Sequence, residues 1–113
     1  MPDNNLKTNF AFFGSGPLAE SVLAALYKNN LIPRLIITTQ DKKSGRHLEI
    51  QKNHIKIWSE IKNIKCIQPE TLKNINKEEI KKIFGENIFD FFIVASYPKI
   101  LPKNILDLAR FGA

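Results

Sequence analysis

Gly14-Ser15-Gly16-Pro17, with Ala19 just beyond, has the spacing G-x-G-x-x-A between an apolar run and a helical pattern. Glycines in such a turn let phosphate oxygens approach the backbone, and the helix start that follows offers free N–H groups and partial positive charge. The pattern fits an anion cradle, and it fits a plain tight strand-to-helix turn as well. A nicotinamide-dinucleotide site wants an acid at the end of the second strand, about 20 residues on. Thr38-Thr39-Gln40 stands there instead, and no acid comes before Asp41. Pro17 also takes one N–H out of the cradle. A second chemistry is carried by Lys42, Lys43, Arg46 and Lys52. Such a cluster can grip phosphates, and the arginine fork can also stack on bases; the other reading is a solvated run of charge.

The remaining reactive side chains point to less. His47 and His54 have no acid or cysteine at ligand spacing, so no metal site is read there. Cys66 is the single cysteine, which excludes an internal disulfide and a cysteine-built zinc site. It reads as a small buried hydrophobe, and Trp58 as core. Asp90 heads a strand, and its position gives it no role as a base.

These residues need elements to hold them. Asn9 to Phe13 reads as a buried strand ending in the glycine turn, and Leu35 to Thr39 as a second, β-branched strand. Between them Pro17 suits a first helical position, Ala19, Val22, Leu23 and Leu26 make one apolar face, and Lys28-Asn29-Asn30 closes the helix. Gln40 to Asn53 is polar, basic and aperiodic, longer than the usual connection of about 2–6 residues. It is read as a long loop. A helix from about His54 to Asn63 follows from Ile55, Trp58 and Ile61. Cys66-Ile67 reads as a short third strand, and Leu72 to Phe84 as one or two short helices, the second capped by Asn76 and ended by Gly85. Phe91 to Ala95 is the most strand-like run of all. Pro102 then opens a short helix containing Ile105, Leu106 and Leu108. Strand and helix alternate, which predicts an α/β, doubly wound, mainly parallel sheet.

The chain has 113 residues, 43% hydrophobic and 25% charged, the make-up of one globular domain over residues 1–113. No apolar run approaches the about 18 residues of a membrane span. The polar start Met1-Pro2-Asp3-Asn4-Asn5 has no signal-peptide core, so a cytoplasmic, soluble protein is expected. The net charge of +6 is spread mostly over lysines. It fits a lysine-rich composition or a polyanionic partner such as RNA.

Four segments, in order, change the weighting. Phe13-Gly14-Ser15-Gly16-Pro17, then Ile36-Ile37-Thr38-Thr39-Gln40-Asp41 running on to Gly45-Arg46, then Ile67-Gln68-Pro69, then Val94-Ala95-Ser96-Tyr97-Pro98-Lys99-Ile100-Leu101-Pro102 together resemble the methionyl-tRNA formyltransferase family. Three departures stand out. No proline lies between Gln40 and Asp41, His54-Ile55-Lys56 stands where the family has Pro-Val-Lys, and Pro98 replaces a glycine beside Tyr97.

The resemblance implies a Rossmann-like formyltransferase fold and an enzyme of translation initiation. It would move a formyl group from 10-formyltetrahydrofolate to the amino group of methionyl initiator tRNA. The resemblance makes Ser96, Tyr97, Ile100 and Leu101 the folate-pocket wall. It gives the acceptor tRNA to Gly14, Ser15, Gly16, Lys42, Lys43 and Arg46, with no metal and no membrane. The family's catalytic Asn, His and Asp are expected beyond Ala113, so that this chain is cut before the catalytic strand and is inactive alone. They would polarise the formyl group, steady the oxyanion and take the amine's proton. Two other readings stand beside this one: a formyltransferase of the same fold acting on a sugar nucleotide or glycinamide ribonucleotide, or a stand-alone nucleotide- or RNA-binding module. The Phe91–Ala95 strand, apolar on both faces, is expected to lie at an uncovered edge and to make the chain self-associate.

Overall fold

The computed structural model describes residues 9–44, 49–51, 53–85 and 89–113. In chain order the elements are β1 (Phe10–Gly14), α1 (Gly16–Lys28), β2 (Leu35–Ile37), β3 (Lys42–Ser44), β4 (Glu49–Gln51), α2 (His54–Ile61), β5 (Cys66–Ile67), α3 (Lys77–Phe84), β6 (Phe91–Ala95) and α4 (Lys103–Leu106). Four strands form one all-parallel sheet in the order β5-β2-β1-β6. The chain winds from β1 outward through β2 to β5, then returns to place β6 on the other side of β1. That is a doubly wound, Rossmann-like arrangement.

β1 is central because every one of its residues is buried. Successive side chains of a strand point to opposite faces, and here the two faces build two cores. Phe12 and Ile36 meet Ala19 and Leu23 of α1 and Ile55 of α2. Ala11, Phe13, Leu35, Ile37 and Phe92 meet Phe84 of α3 and Ile105 of α4. Truncating a buried phenylalanine such as Phe12 or Phe13 to alanine costs about 3–5 kcal/mol, so the strand is the mechanical centre of the molecule.

The helix ends follow local chemistry. Asn30 takes the left-handed conformation (φ +63°) just past α1, and the Leu31 N–H donates to the Leu26 carbonyl at 2.9 Å. Asn76 and Glu79 form a reciprocal capping box on α3, and Gly85 ends it at φ +72°. Cys66 is buried, and burial pushes its thiol pKa up. Trp58 is half-buried and meets Tyr27 edge-on at 5.5 Å.

Several expectations are corrected. The stretch Gln40–Asn53 is not a plain loop, because β3 and β4 pair antiparallel within it, Lys43 opposite Ile50. Three-residue strands that pair only with each other leave no periodicity to read. Residues 71–84 hold a single helix, within the one or two expected; α2 stops at Ile61, short of Asn63, and Leu108 lies beyond α4. β6 does lie at the edge, yet its outer side is partly occupied. Phe89 bridges Ala109 in parallel, the Phe111 N–H donates to the Asp90 carbonyl, and the Phe92 N–H donates to the Gly112 carbonyl at 3.1 Å. The next strand position is thus begun before Ala113. By alternation the open part of that edge is around Val94, which is 44% exposed.

Candidate functional site

In a parallel sheet all the strands' carboxyl ends lie together, and ligands bind where the winding reverses. Here that point lies between β1 and β6. The segments leaving it are Gly14–Pro17 and Ser96–Leu101, two of the stretches singled out in the sequence, and the Ser15 N–H donates to the Ser96 carbonyl at 3.2 Å. Gly14 is required by this closeness: a Cβ there would lie 2.5 Å from the Ala95 carbonyl oxygen and 2.8 Å from Ala19 Cβ. Gly16 differs, with φ +86° and open space around it. Ser15 precedes α1 without capping it through its side chain; its Oγ is 2.7 Å from Thr39 Oγ1 instead.

Across the crevice Ser96 holds φ +57°, a conformation that side chains other than Gly, Asn and Asp seldom adopt. Its side chain is exposed, and Ile100 is 86% exposed beside it. Leu101 is half-buried against the core. Tyr97 points inward, only 9% exposed, with its ring edge-on to Phe13 at 5.6 Å. Burial pushes its pKa up to about 12, and its hydroxyl meets no hydrogen-bond partner among the described residues. Tyr97 therefore props the segment from beneath, while Ser96 and Ile100 face outward. Lys99 ties the same segment to the loop after β5, its Nζ donating to the carbonyls of Pro69 (3.0 Å) and Glu70.

Lys42 and Lys43 lie in β3, so the basic stretch is a hairpin springing from the carboxyl end of β2. Arg46 falls outside the described residues. A network at the neck of the hairpin escaped the sequence reading. The Asn53 N–H donates to Asp41 Oδ1 at 3.0 Å, joining the two ends of the hairpin. Asn53 Nδ2 donates to Thr38 Oγ1 (3.0 Å) and to the Thr39 carbonyl (2.9 Å), while Gln68 Nε2 donates to the Thr39 carbonyl and to Asp41 Oδ1, both at 3.0 Å. Thr38 is fully buried and Thr39 nearly so. Buried hydroxyls demand partners, so two threonines directly after the apolar strand β2, which stops at Ile37 and not at Thr39, were the signal that something polar would come to meet them.

A cavity of about 420 Å³ opens beside the loop after β5, among Gln68, Pro69, Ile75 and Ile83, and contains none of the predicted site residues. Among the described residues no group of three or more His, Cys, Asp or Glu is placed to hold a metal, and no helix is long and apolar enough to cross a membrane.

No family model matches the chain. Individual relatives do. A methionyl-tRNA formyltransferase of Pelagibacter ubique is 40% identical over 101 residues, 89% of this chain and 32% of that protein. The chain is similar to the methionyl-tRNA formyltransferases. The Thermotoga maritima methionyl-tRNA formyltransferase is 35% identical over 101 residues, again 89% of this chain and 31% of the relative. That of Polynucleobacter asymbioticus is 32% identical over 114 residues, 90% of this chain and 34% of the relative. The chain thus spans about a third of the length of the methionyl-tRNA formyltransferases it matches.

Proposed function

We propose that this chain is the N-terminal portion of a methionyl-tRNA formyltransferase catalytic domain. The whole enzyme would transfer a formyl group from 10-formyltetrahydrofolate to methionyl initiator tRNA in the cytoplasm. The observation that carries the reading is the similarity to these enzymes along 89% of the chain, at up to 40% identity. The geometry supports it: two turns and a basic hairpin leave the same end of one sheet.

On this reading the segment after β6 forms one wall of the formyl donor's pocket. Ser96 and Ile100 face the donor, Leu101 and the Tyr97 ring support the wall from the core side, and exposed backbone groups offer hydrogen bonds to the pterin. Gly14, Ser15 and Gly16 border the acceptor end. Lys42, Lys43 and Arg46 bind the phosphates of the tRNA acceptor arm, which makes binding fall with salt. The Asn, His and Asp that would polarise the formyl group and take the amine's proton belong, by the family pattern, to sequence that follows this stretch.

The test is a chimera in which residues 10–113 replace the matching stretch of the Pelagibacter relative. Formylation of methionyl initiator tRNA within about tenfold of the parent is expected, since about 1.4 kcal/mol of lost transition-state stabilisation is tenfold. A folded chimera that binds tRNA yet formylates nothing would refute the reading. Charge reversal of Lys42, Lys43 and Arg46 in the same chimera separates a tRNA acceptor from a small one. The tRNA reading requires weaker binding and a shallower salt dependence, whereas a sugar-nucleotide or glycinamide-ribonucleotide enzyme would lose neither.

A further inference from the structure

We infer that Asn53 is a positioning residue that pins the basic hairpin to the acceptor-facing end of the sheet, a role that rests on the tRNA reading of that hairpin. The two ends of its side chain do separate work. Oδ1 accepts from the Ile55 N–H (2.8 Å) and from the Lys56 N–H (3.4 Å), capping α2. Nδ2 reaches the other way, to Thr38 Oγ1, the Thr39 carbonyl and Thr39 Oγ1 (3.3 Å). A helix cap needs only the acceptor. The donor end therefore serves something besides the helix, and what it grips is the last turn of chain before β3. The Asn53 backbone completes the closure through Asp41 Oδ1, so the residues before β3 and after β4 are held to each other and to β2.

The network also reaches the glycine turn, since Thr39 Oγ1 is 2.7 Å from Ser15 Oγ. Thr39 is 7% exposed, and hydrogen bonds in such low-dielectric surroundings are stiffer than at the surface. The base of the hairpin and the turn bordering the acceptor end are thus joined by a continuous run of hydrogen bonds. Among the described residues the two three-residue strands pair only with each other, and two-stranded hairpins alone are marginal in water, so the bonds at the neck, from Asn53 and from Gln68 to Thr39 and Asp41, hold its direction. Lysines aimed at tRNA phosphates from a swinging hairpin would have to be ordered on each binding event, and that ordering lowers affinity.

Asn53→Ser divides the two jobs, because serine caps a helix as well as asparagine but cannot reach Thr39. In this chain, amide exchange of β3 and β4 is expected to rise about tenfold on loss of the Nδ2 bonds. The Ile55 and Lys56 amides should keep their protection. In the chimera, affinity for labelled methionyl initiator tRNA should fall about tenfold with an unchanged salt slope, since no charge is altered. Asn53→Ala, which loses both ends, should add a loss of melting temperature that the serine variant lacks. Wild-type exchange rates in the hairpin of Asn53→Ser would overturn the inference. So would unchanged tRNA affinity in that variant when Lys42→Glu/Lys43→Glu abolishes binding. If the chimera with an unaltered hairpin binds no tRNA, the functional reading falls, and the exchange rates still decide whether Asn53 holds the hairpin.

Discussion

Replacing Gly14 by alanine adds one methyl group at the tightest point of the molecule. The new Cβ would sit 2.5 Å from the Ala95 carbonyl oxygen, 2.7 Å from the Phe12 ring and 2.8 Å from Ala19 Cβ. Ordinary carbon contacts begin near 3.5 Å, so the neighbours must retreat by about 1 Å. Two of them cannot do so cheaply. The Ala95 carbonyl is backbone of β6, in register with Gly14, and Ala19 belongs to α1, which packs on the same face. The strain is therefore shared between the β1–β6 ladder and the α1 contact. Overpacking of this kind costs about 3 kcal/mol, a large part of the about 5–15 kcal/mol that holds a domain together. Urea unfolding followed by Trp58 fluorescence would measure it, and the melting temperature should fall by about 10 °C or more. Gly16→Ala is the contrasting case. Nothing crowds that position, so only its φ of +86° opposes a side chain, at about 1–2 kcal/mol. A loss below about 1 kcal/mol for Gly14→Ala, or an equal loss at both positions, would refute the close approach of β1, β6 and α1.

Tyr97→Phe should leave stability unchanged or raise it, because the buried hydroxyl has no partner among the described residues; a clear loss in urea unfolding would show that the hydroxyl is satisfied. The Tyr97 pKa is raised to about 12, so between pH 10 and 12 the unfolded chain gives up this proton while the folded one keeps it. Stability should therefore fall across that window, and Tyr97→Phe should flatten the fall. Lys99→Met should cost about 1–2 kcal/mol by releasing the carbonyls of Pro69 and Glu70, and unaltered unfolding would remove the tie between the two loops. Self-association should occur through the open part of the β6 edge and rise with salt as the net charge of +6 is screened. Val94→Lys should suppress it in sedimentation runs at two concentrations, and a wild-type monomer under all conditions would show the edge to be covered.

The framework of the fold was legible because its strands are short apolar runs bounded by polar or turn residues. Phe10 to Phe13 and Leu35 to Ile37 are buried on both faces, and Phe91 to Ala95 is apolar throughout although only Phe92 in it is buried. The Asn76 cap and the Gly85 stop were equally local. The hairpin was not legible, since Lys42-Lys43-Ser44 and Glu49-Ile50-Gln51 pair only with each other and carry no alternation for a sheet face. The glycine turn and the Ser96–Leu101 segment were recognised separately, but their meeting through Ser15 and Ser96 is a property of strand order. The role of Asn53 as the cap of α2 is shown by the structure. Its grip on Thr38 and Thr39, 15 and 14 residues away, was not legible, because it depends on how the hairpin returns. The inward turn of Tyr97 likewise follows from the packing of Phe13 beneath it.

The place of β1 in the sheet has a consequence for the newborn chain. β1 is made before both of its sheet partners, and these arrive at very different times: Leu35 to Ile37 soon after, Phe91 to Ala95 much later. At about 5–20 residues per second, the gap between those partners lasts roughly 3–12 s on the ribosome. Throughout that interval the β6 side of a strand containing Phe10, Phe12 and Phe13 lacks its partner, and loop closure cannot help until Phe91 to Ala95 exists. A strand that becomes the best-protected part of the finished molecule is thus the most vulnerable part of the growing one. Translation speed between residues 37 and 91 therefore sets how long that flank of β1 stays unpaired.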